Sequence, residues 1–227
     1  ARRSGLKTEM FGTVTGGYAR IIEALMRSLA SRGVTSRLNT PVRSIHRVTR
    51  GVEVSGANWQ SIFDHVIVTA PGPLAARMCP NLTIEERDRL TAARYQGVVC
   101  SSLLLKKPLR GRYLTYIADE SIPFTGVIEM TAVVDPKFFG GSSLVYLPAY
   151  VPSDDPLFEI SDDELRGRCV SALTKMYASF HEDDLLAFRV SRARNVMAVQ
   201  SLNYSQKVPP METSIPGLHI VNSSQII

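Results

Sequence analysis

Residues 63–73 read Phe63-Asp64-His65-Val66-Ile67-Val68-Thr69-Ala70-Pro71-Gly72-Pro73. After one acidic residue the run from His65 to Ala70 is almost continuously apolar, and a Pro-Gly-Pro corner stops it. A strand with one wet face alternates apolar and polar positions, whereas a strand covered on both faces does not, so this stretch predicts a covered strand of an α/β sheet. Upstream, Ile and Val alternate with polar residues over 42–48, and Arg50-Gly51 turns the chain into Val52-Glu53-Val54, which predicts a hairpin with one wet face. Further back, Ile21, Ile22, Leu25, Met26 and Leu29 recur at helical spacing after Gly16-Gly17, predicting a helix with one buried face. Gly33 suits its C-terminal cap, and 34–38 carries β-branched residues at alternate positions.

Downstream the pattern changes. Thr83 with Glu86 forms a capping box for a helix over 84–94. Four β-like runs follow without helices between them, at 98–105, 113–118, 127–134 and 143–151, which predicts an antiparallel or mixed sheet. Ser161-Asp162-Asp163-Glu164 reads as a second capping box, opening a helix through Leu165, Val170, Leu173, Met176 and Phe180. A strand is expected over 187–199. A last short one at 218–221 follows Ile215-Pro216-Gly217 and is expected to return to the first sheet.

The 227 residues are 44% hydrophobic and 21% charged, with 15 Gly and 13 Pro, which excludes disorder, collagen and coiled coil. A chain of this length buries enough surface to hold a core without disulfides. No apolar run approaches the ~20 residues needed to span a bilayer. The start, Ala1-Arg2-Arg3-Ser4-Gly5, has no apolar segment after its basic residues and no initiating Met, so it reads as neither a signal peptide nor a natural start. The expectation is a piece of a longer protein. Cys79, Cys100 and Cys169 are sparse and odd in number, pointing to reduced thiols and a cytoplasmic setting. The net charge of +5 is scattered outside the first seven positions, so no nucleic-acid partner is expected. His46, His65, His181 and His219 lack short ligand spacing, and no metal is expected.

Local chemistry is sparse. There is no Gly-x-Gly-x-x-Gly, no Walker loop and no Gly-x-Ser-x-Gly elbow. Gly12-x-x-x-Gly16-Gly17 precedes a helix and reads as a helix-entry loop before it reads as a phosphate cradle. The acidic groups at 154–155, 159–164 and 182–184 sit at expected helix ends, where capping and solvation account for them. Arg192 and Arg194 share one face of a presumed strand, a place either for an anionic substrate or for solvent.

Read together, several segments resemble a known family. They are Thr15-Gly16-Gly17-Tyr18 opening an amphipathic helix, Leu38-Asn39-Thr40-Pro41-Val42-Arg43-Ser44-Ile45, and the stretch from Phe63 to Pro71. Their order is similar to that of the flavin-containing amine oxidase superfamily, which includes monoamine and polyamine oxidases, protoporphyrinogen oxidases and phytoene desaturases. Residues 214–222, Ser214-Ile215-Pro216-Gly217-Leu218-His219-Ile220-Val221-Asn222, are similar to that family's final approach to the flavin.

The resemblance implies an α+β / α/β fold: an incomplete FAD-binding, Rossmann-like portion plus a β-rich, mixed-sheet substrate domain with flanking helices. It divides the chain into a partial FAD-binding domain at 1–80, a substrate-binding domain at 81–210 and a return strand at 211–227. It implies FAD as the cofactor and hydride transfer from a C–N or C–C unit of a small substrate to the flavin. By the same resemblance Val42 would pair with the adenine edge through its main chain, and Thr69, Ala70 and Pro71 would lie beside the ribose and adenine. Tyr204 would wall the flavin pocket. Asn222, Ser223 and Ser224 replace the family's Gly-Asp turn and would donate to the pyrophosphate or flavin. The N-terminal βαβ unit with its glycine motif is absent, so the fragment is expected to bind FAD poorly. A flavin-dependent nucleotide-sugar mutase and a non-catalytic small-molecule-binding domain are the alternatives. No catalytic residue stands out.

Overall fold

A computed structural model describes residues 12–226; the basic residues of the first seven positions lie outside them. In chain order the elements are α1 (Gly17–Ser31), β1 (Ser44–Val48), β2 (Gly51–Ser55), β3 (Gln60–Phe63), β4 (Val66–Val68), α2 (Gly72–Met78), α3 (Ile84–Ala92), β5 (Tyr95–Leu105), β6 (Leu114–Tyr116), β7 (Gly126–Glu129), β8 (Ser143–Pro152), α4 (Asp162–Met176), β9 (Leu185–Ala198) and β10 (Leu218–Ile220). The described residues form two compact units. The first takes 12–37, Val99–Tyr150 and Pro156–Arg192, and the second takes Leu38–Val98, Val151–Asp155 and 193–226. Residue 80 therefore lies inside the second unit.

In the first unit the sheet runs in the order β6-β7-β8-β5-β9, with β6-β7 and β7-β8 antiparallel. Along β5 every second residue is buried, and at Ser101, Leu103 and Leu105 that face meets α4. Leu103, Leu105, Val127, Val145 and Leu147 from the strands pack with Cys169, Val170 and Leu173 from the helix. Each such fully buried aliphatic contributes roughly 1.5–3 kcal/mol relative to exposure. At the start of α4 the Ser161 hydroxyl accepts from the Glu164 N–H at 3.2 Å, so the expected cap is present. The Glu164 carboxylate turns instead to Arg168 at 2.6 Å, one helical turn on, and Phe180 lies beyond the helix end. Glu129, 1% exposed, accepts backbone N–H bonds from Leu109, Arg110, Gly111 and Arg112 at 3.0–3.2 Å, which fixes the loop between β5 and β6.

α1 corrects one expectation. The helix is amphipathic and Gly33 closes it in the left-handed conformation at φ 80, yet none of its residues is buried, and Ile22 is 60% exposed. Periodicity marks the face that seeks cover; cover itself must come from elsewhere in space. Residues 34–38 form no strand.

The second unit contains two sheets. The predicted hairpin is β1-β2, with His46 facing Glu53 across the pair and bonded to it at 2.9 Å, and an unforeseen β3 extends it. The other sheet is β4 paired in parallel with β10, Val68 opposite Ile220. The return of the last strand is thus observed, although into a sheet separate from the hairpin. Ile45, Val52 and Val54 of the hairpin and Val68, Leu218 and Ile220 of the parallel pair share one core with α2 and α3. β4 is covered on one face only: Val68 is 5% exposed and Ile67 64%. Gly72 and Gly217 permit close approaches. A Cβ on Gly72 would lie 2.4 Å from the Leu90 carbonyl oxygen of α3, and one on Gly217, at φ +84, would lie 2.5 Å from that of Asp64.

Candidate functional site

Parallel pairing sets the polarity of the site. β4 and β10 run the same way, so their carboxyl ends open together, and the segments that leave them become neighbours although about 150 residues separate them in sequence. The carboxyl edge of such strands is where α/β proteins place ligands. One exit carries Thr69, Ala70 and Pro71 and the other Asn222, Ser223 and Ser224.

Asn222 joins the two. Its side-chain amide donates to the Ala70 carbonyl at 3.0 Å, and its Oδ1 accepts from the Ser224 N–H at 2.9 Å and the Ser224 hydroxyl at 2.6 Å. The Asn222 N–H donates to the side chain of Gln225 at 2.8 Å. Asn222-x-x-Gln225 is thus a reciprocal capping box on a short 3-10 turn. The Gln225 amide reaches the carbonyls of Ile220, Pro209 and Pro210. Ser224 is fully buried.

Two tyrosines brace the same corner. Tyr204 donates its hydroxyl to the Ser224 carbonyl at 2.6 Å, and the Tyr95 hydroxyl accepts from the Gly72 N–H at 3.1 Å. Burial pushes the Tyr204 hydroxyl above its ordinary value and the neighbouring Tyr95 adds to the effect, while the Ser224 hydrogen bond opposes it. Tyr204 therefore stays a protonated donor at neutral pH. Tyr95 and Gln225 escaped the sequence reading: Tyr95 looks like any strand aromatic, whereas the Asn-x-x-Gln spacing was a legible signal.

Seven of the eight expected residues thus gather at one corner. Val42 stands apart, exposed at the edge of the hairpin sheet just before β1. Among the seven, Thr69 and Ser223 are exposed, and their hydroxyls make no hydrogen bond among the described residues, while the side chains of Asn222 and Ser224 are engaged with each other and with Ala70. That leaves Thr69, Ser223 and local main-chain groups as the polar atoms open to a ligand, with Pro71 as apolar surface. Such a set fits the nucleoside edge of a flavin dinucleotide, which asks for apolar cover and a few hydroxyl or main-chain partners.

The corner is held from behind by Glu86. Its carboxylate accepts from the Thr83 N–H at 2.8 Å, closing the predicted capping box, and from the N–H and hydroxyl of Ser214 at 2.5 and 2.7 Å. Burial opposes the charge, but the Ser214 and Thr83 bonds outweigh it and hold the carboxyl below its usual range. The small cleft beside it, lined by Leu82, Leu90, Pro209 and Ile220, has a volume of about 10 Å³, room for one water. The three cysteines are free, and burial pushes the Cys79 thiol up to about 11, so it carries no thiolate nucleophile at neutral pH. No helix of the described residues is long and apolar enough to cross a membrane.

The family model of the flavin containing amine oxidoreductases matches residues 2–224, and the chain belongs to that family. No curated protein matches the sequence. Solved structures show the fold. A protoporphyrinogen oxidase-like protein of Exiguobacterium sp. 255-15 is similar over 98% of this chain and 49% of its own, at TM-score 0.77 and 16% identity. Putrescine oxidase bound to putrescine is similar over 92% and 48%, at TM-score 0.67 and 17% identity. A reduced UDP-galactopyranose mutase is similar over 85% and 42%, at TM-score 0.64 and 16% identity. The chain spans about half the length of these structures.

Proposed function

We propose that the chain supplies one side of the cofactor cradle and a β-rich substrate layer of an FAD-dependent oxidoreductase. In this reading the corner of the second unit holds the nucleoside end of FAD. Pro71 excludes water from the adenine, and the hydroxyls of Thr69 and Ser223 bond the polar atoms that follow it. Tyr204 and Asn222 act at one remove: they keep the exits of β4 and β10 at a constant spacing, so the open groups are oriented before the ligand arrives. FAD, when bound, accepts a hydride from a C–N or C–C unit of a small substrate. The five-stranded sheet of the first unit is the layer proposed to carry that substrate.

The observation that supports this most is the parallel β4-β10 pair, whose carboxyl ends collect seven of the residues marked by sequence. Titration of the purified chain with FAD, read by flavin fluorescence, tests it. Weak saturable binding is expected, because only one side of the cradle is furnished. Thr69→Asp or Ser223→Asp sets a carboxylate against the anionic dinucleotide and should weaken binding at least tenfold. No saturable binding, or binding indifferent to both substitutions, refutes the assignment. The structural likeness to UDP-galactopyranose mutase keeps a redox-neutral rearrangement as the second reading, which substrate-dependent oxygen uptake would eliminate.

A further inference from the structure

Two histidines that the chain separates widely meet on the exposed face of the parallel pair. His219 of β10 stands opposite Ile67 of β4, and His65 lies two residues before Ile67 on the same face. Their imidazoles stack with centroids 5.9 Å apart and planes inclined by 25°. His65 is exposed and His219 half-buried. Among the described residues neither ring makes a hydrogen bond, in contrast to His46, whose two ring nitrogens are taken by Ser44 and Glu53. Two neighbouring imidazoles with uncommitted nitrogens are a bidentate ligand. Metal–imidazole bonds are about 2.0–2.1 Å, so two nitrogens sharing an ion lie ~3 Å apart. Reaching that separation from the stacked arrangement requires the two side chains to rotate.

The geometry points to a surface site for one borderline divalent transition-metal ion, Cu²⁺, Ni²⁺ or Zn²⁺, bound by His65 and His219. Imidazole donors select these ions over Mg²⁺ and Ca²⁺. No three His, Cys, Asp or Glu side chains converge on a metal position among the described residues, so water or a small chelator completes the coordination. Glu212, paired with His219 in an isolated antiparallel bridge, places an acidic residue on the segment beside the site. The ion would clasp β4 to β10 on their exposed face. Because the two histidines meet only when those strands are paired, metal binding favours the folded state of this sheet. The site is independent of the flavin reading.

The test uses the whole 227-residue chain and a Cu²⁺–iminodiacetate complex, whose remaining adjacent positions suit two imidazoles. One equivalent is expected to bind per chain, with an electron paramagnetic resonance spectrum showing two imidazole nitrogens. His65→Gln and His219→Gln should each weaken binding at least tenfold, while His46→Gln and His181→Gln leave it unchanged. With Zn²⁺ the thermal midpoint of the unsubstituted chain should rise with ion concentration, and that dependence should vanish in both the His65 and His219 variants. A single-nitrogen spectrum from the unsubstituted chain overturns the proposal without recourse to any variant. So does affinity retained after either substitution.

Discussion

Replacing Asn222 with alanine tests the corner on which the candidate site depends. The substitution removes three hydrogen bonds, to the Ala70 carbonyl at 3.0 Å and from the N–H and hydroxyl of Ser224 at 2.9 and 2.6 Å. Each contributes about 1 kcal/mol net, and a buried hydroxyl left without a partner costs a further ~1–3 kcal/mol. Ser224 is fully buried, so that penalty applies, and the total comes to about 4–6 kcal/mol. Trp59 is the sole tryptophan and packs against the core of the second unit, so its fluorescence during urea denaturation reports on this unit. The sharper assay is a double-mutant cycle. Ser224→Ala by itself should cost about 1 kcal/mol, whereas in the Asn222→Ala background it should be neutral or stabilising, because it removes the orphaned hydroxyl. A coupling of roughly 1–2 kcal/mol is the expected outcome. A cost of Asn222→Ala below about 1 kcal/mol, together with additive effects in the cycle, would refute the reasoning.

Other perturbations probe the supports around that corner. Glu86 titrates below its ordinary value of 4.5 in the folded state, so the stability it contributes is present above that pH and is lost as pH falls through the lower folded value. Glu86→Gln should remove this acid sensitivity, visible as a flatter dependence of the Trp59 urea midpoint between pH 6 and 3. Glu129→Gln replaces a carboxylate holding four backbone N–H groups with an amide whose NH₂ faces donors. A loss of about 3 kcal/mol or more is expected, with faster hydrogen exchange at 109–112; unchanged exchange there would contradict the assigned role. Gly72→Ala drives a Cβ into the Leu90 carbonyl and should cost roughly 1–3 kcal/mol, measured as a lowered midpoint of the Trp59 transition.

Much of the secondary structure was legible because its causes are local. The Thr83–Glu86 box, the Gly33 cap, the β-like run of β5 and the hairpin turn at Gly51 are each written within a few residues. Where local signals were read as statements about surroundings they failed. α1 has the spacing of a packed helix but buries nothing, and β4 has the composition of a covered strand yet leaves Ile67 exposed. The site was half legible. Thr69, Ala70, Pro71 and Asn222–Ser224 were marked by resemblance, but their hydrogen-bond commitments were not, because whether a side chain is open or engaged depends on atoms far along the chain.

Sequence alone determined most of the helices and strands, though not β3 or the absence of a strand at 34–38, and which family they belong together in, since periodicity, caps and motif order reside in neighbouring residues. Only the tertiary structure decided that β10 lies parallel beside β4, that Asn222 holds Ala70, and that His65 meets His219. The physical reason is that strand pairing is a contest among all edges in the chain. It is settled by burial of Val68, Leu218 and Ile220 in a common core, a quantity that no single stretch of residues contains.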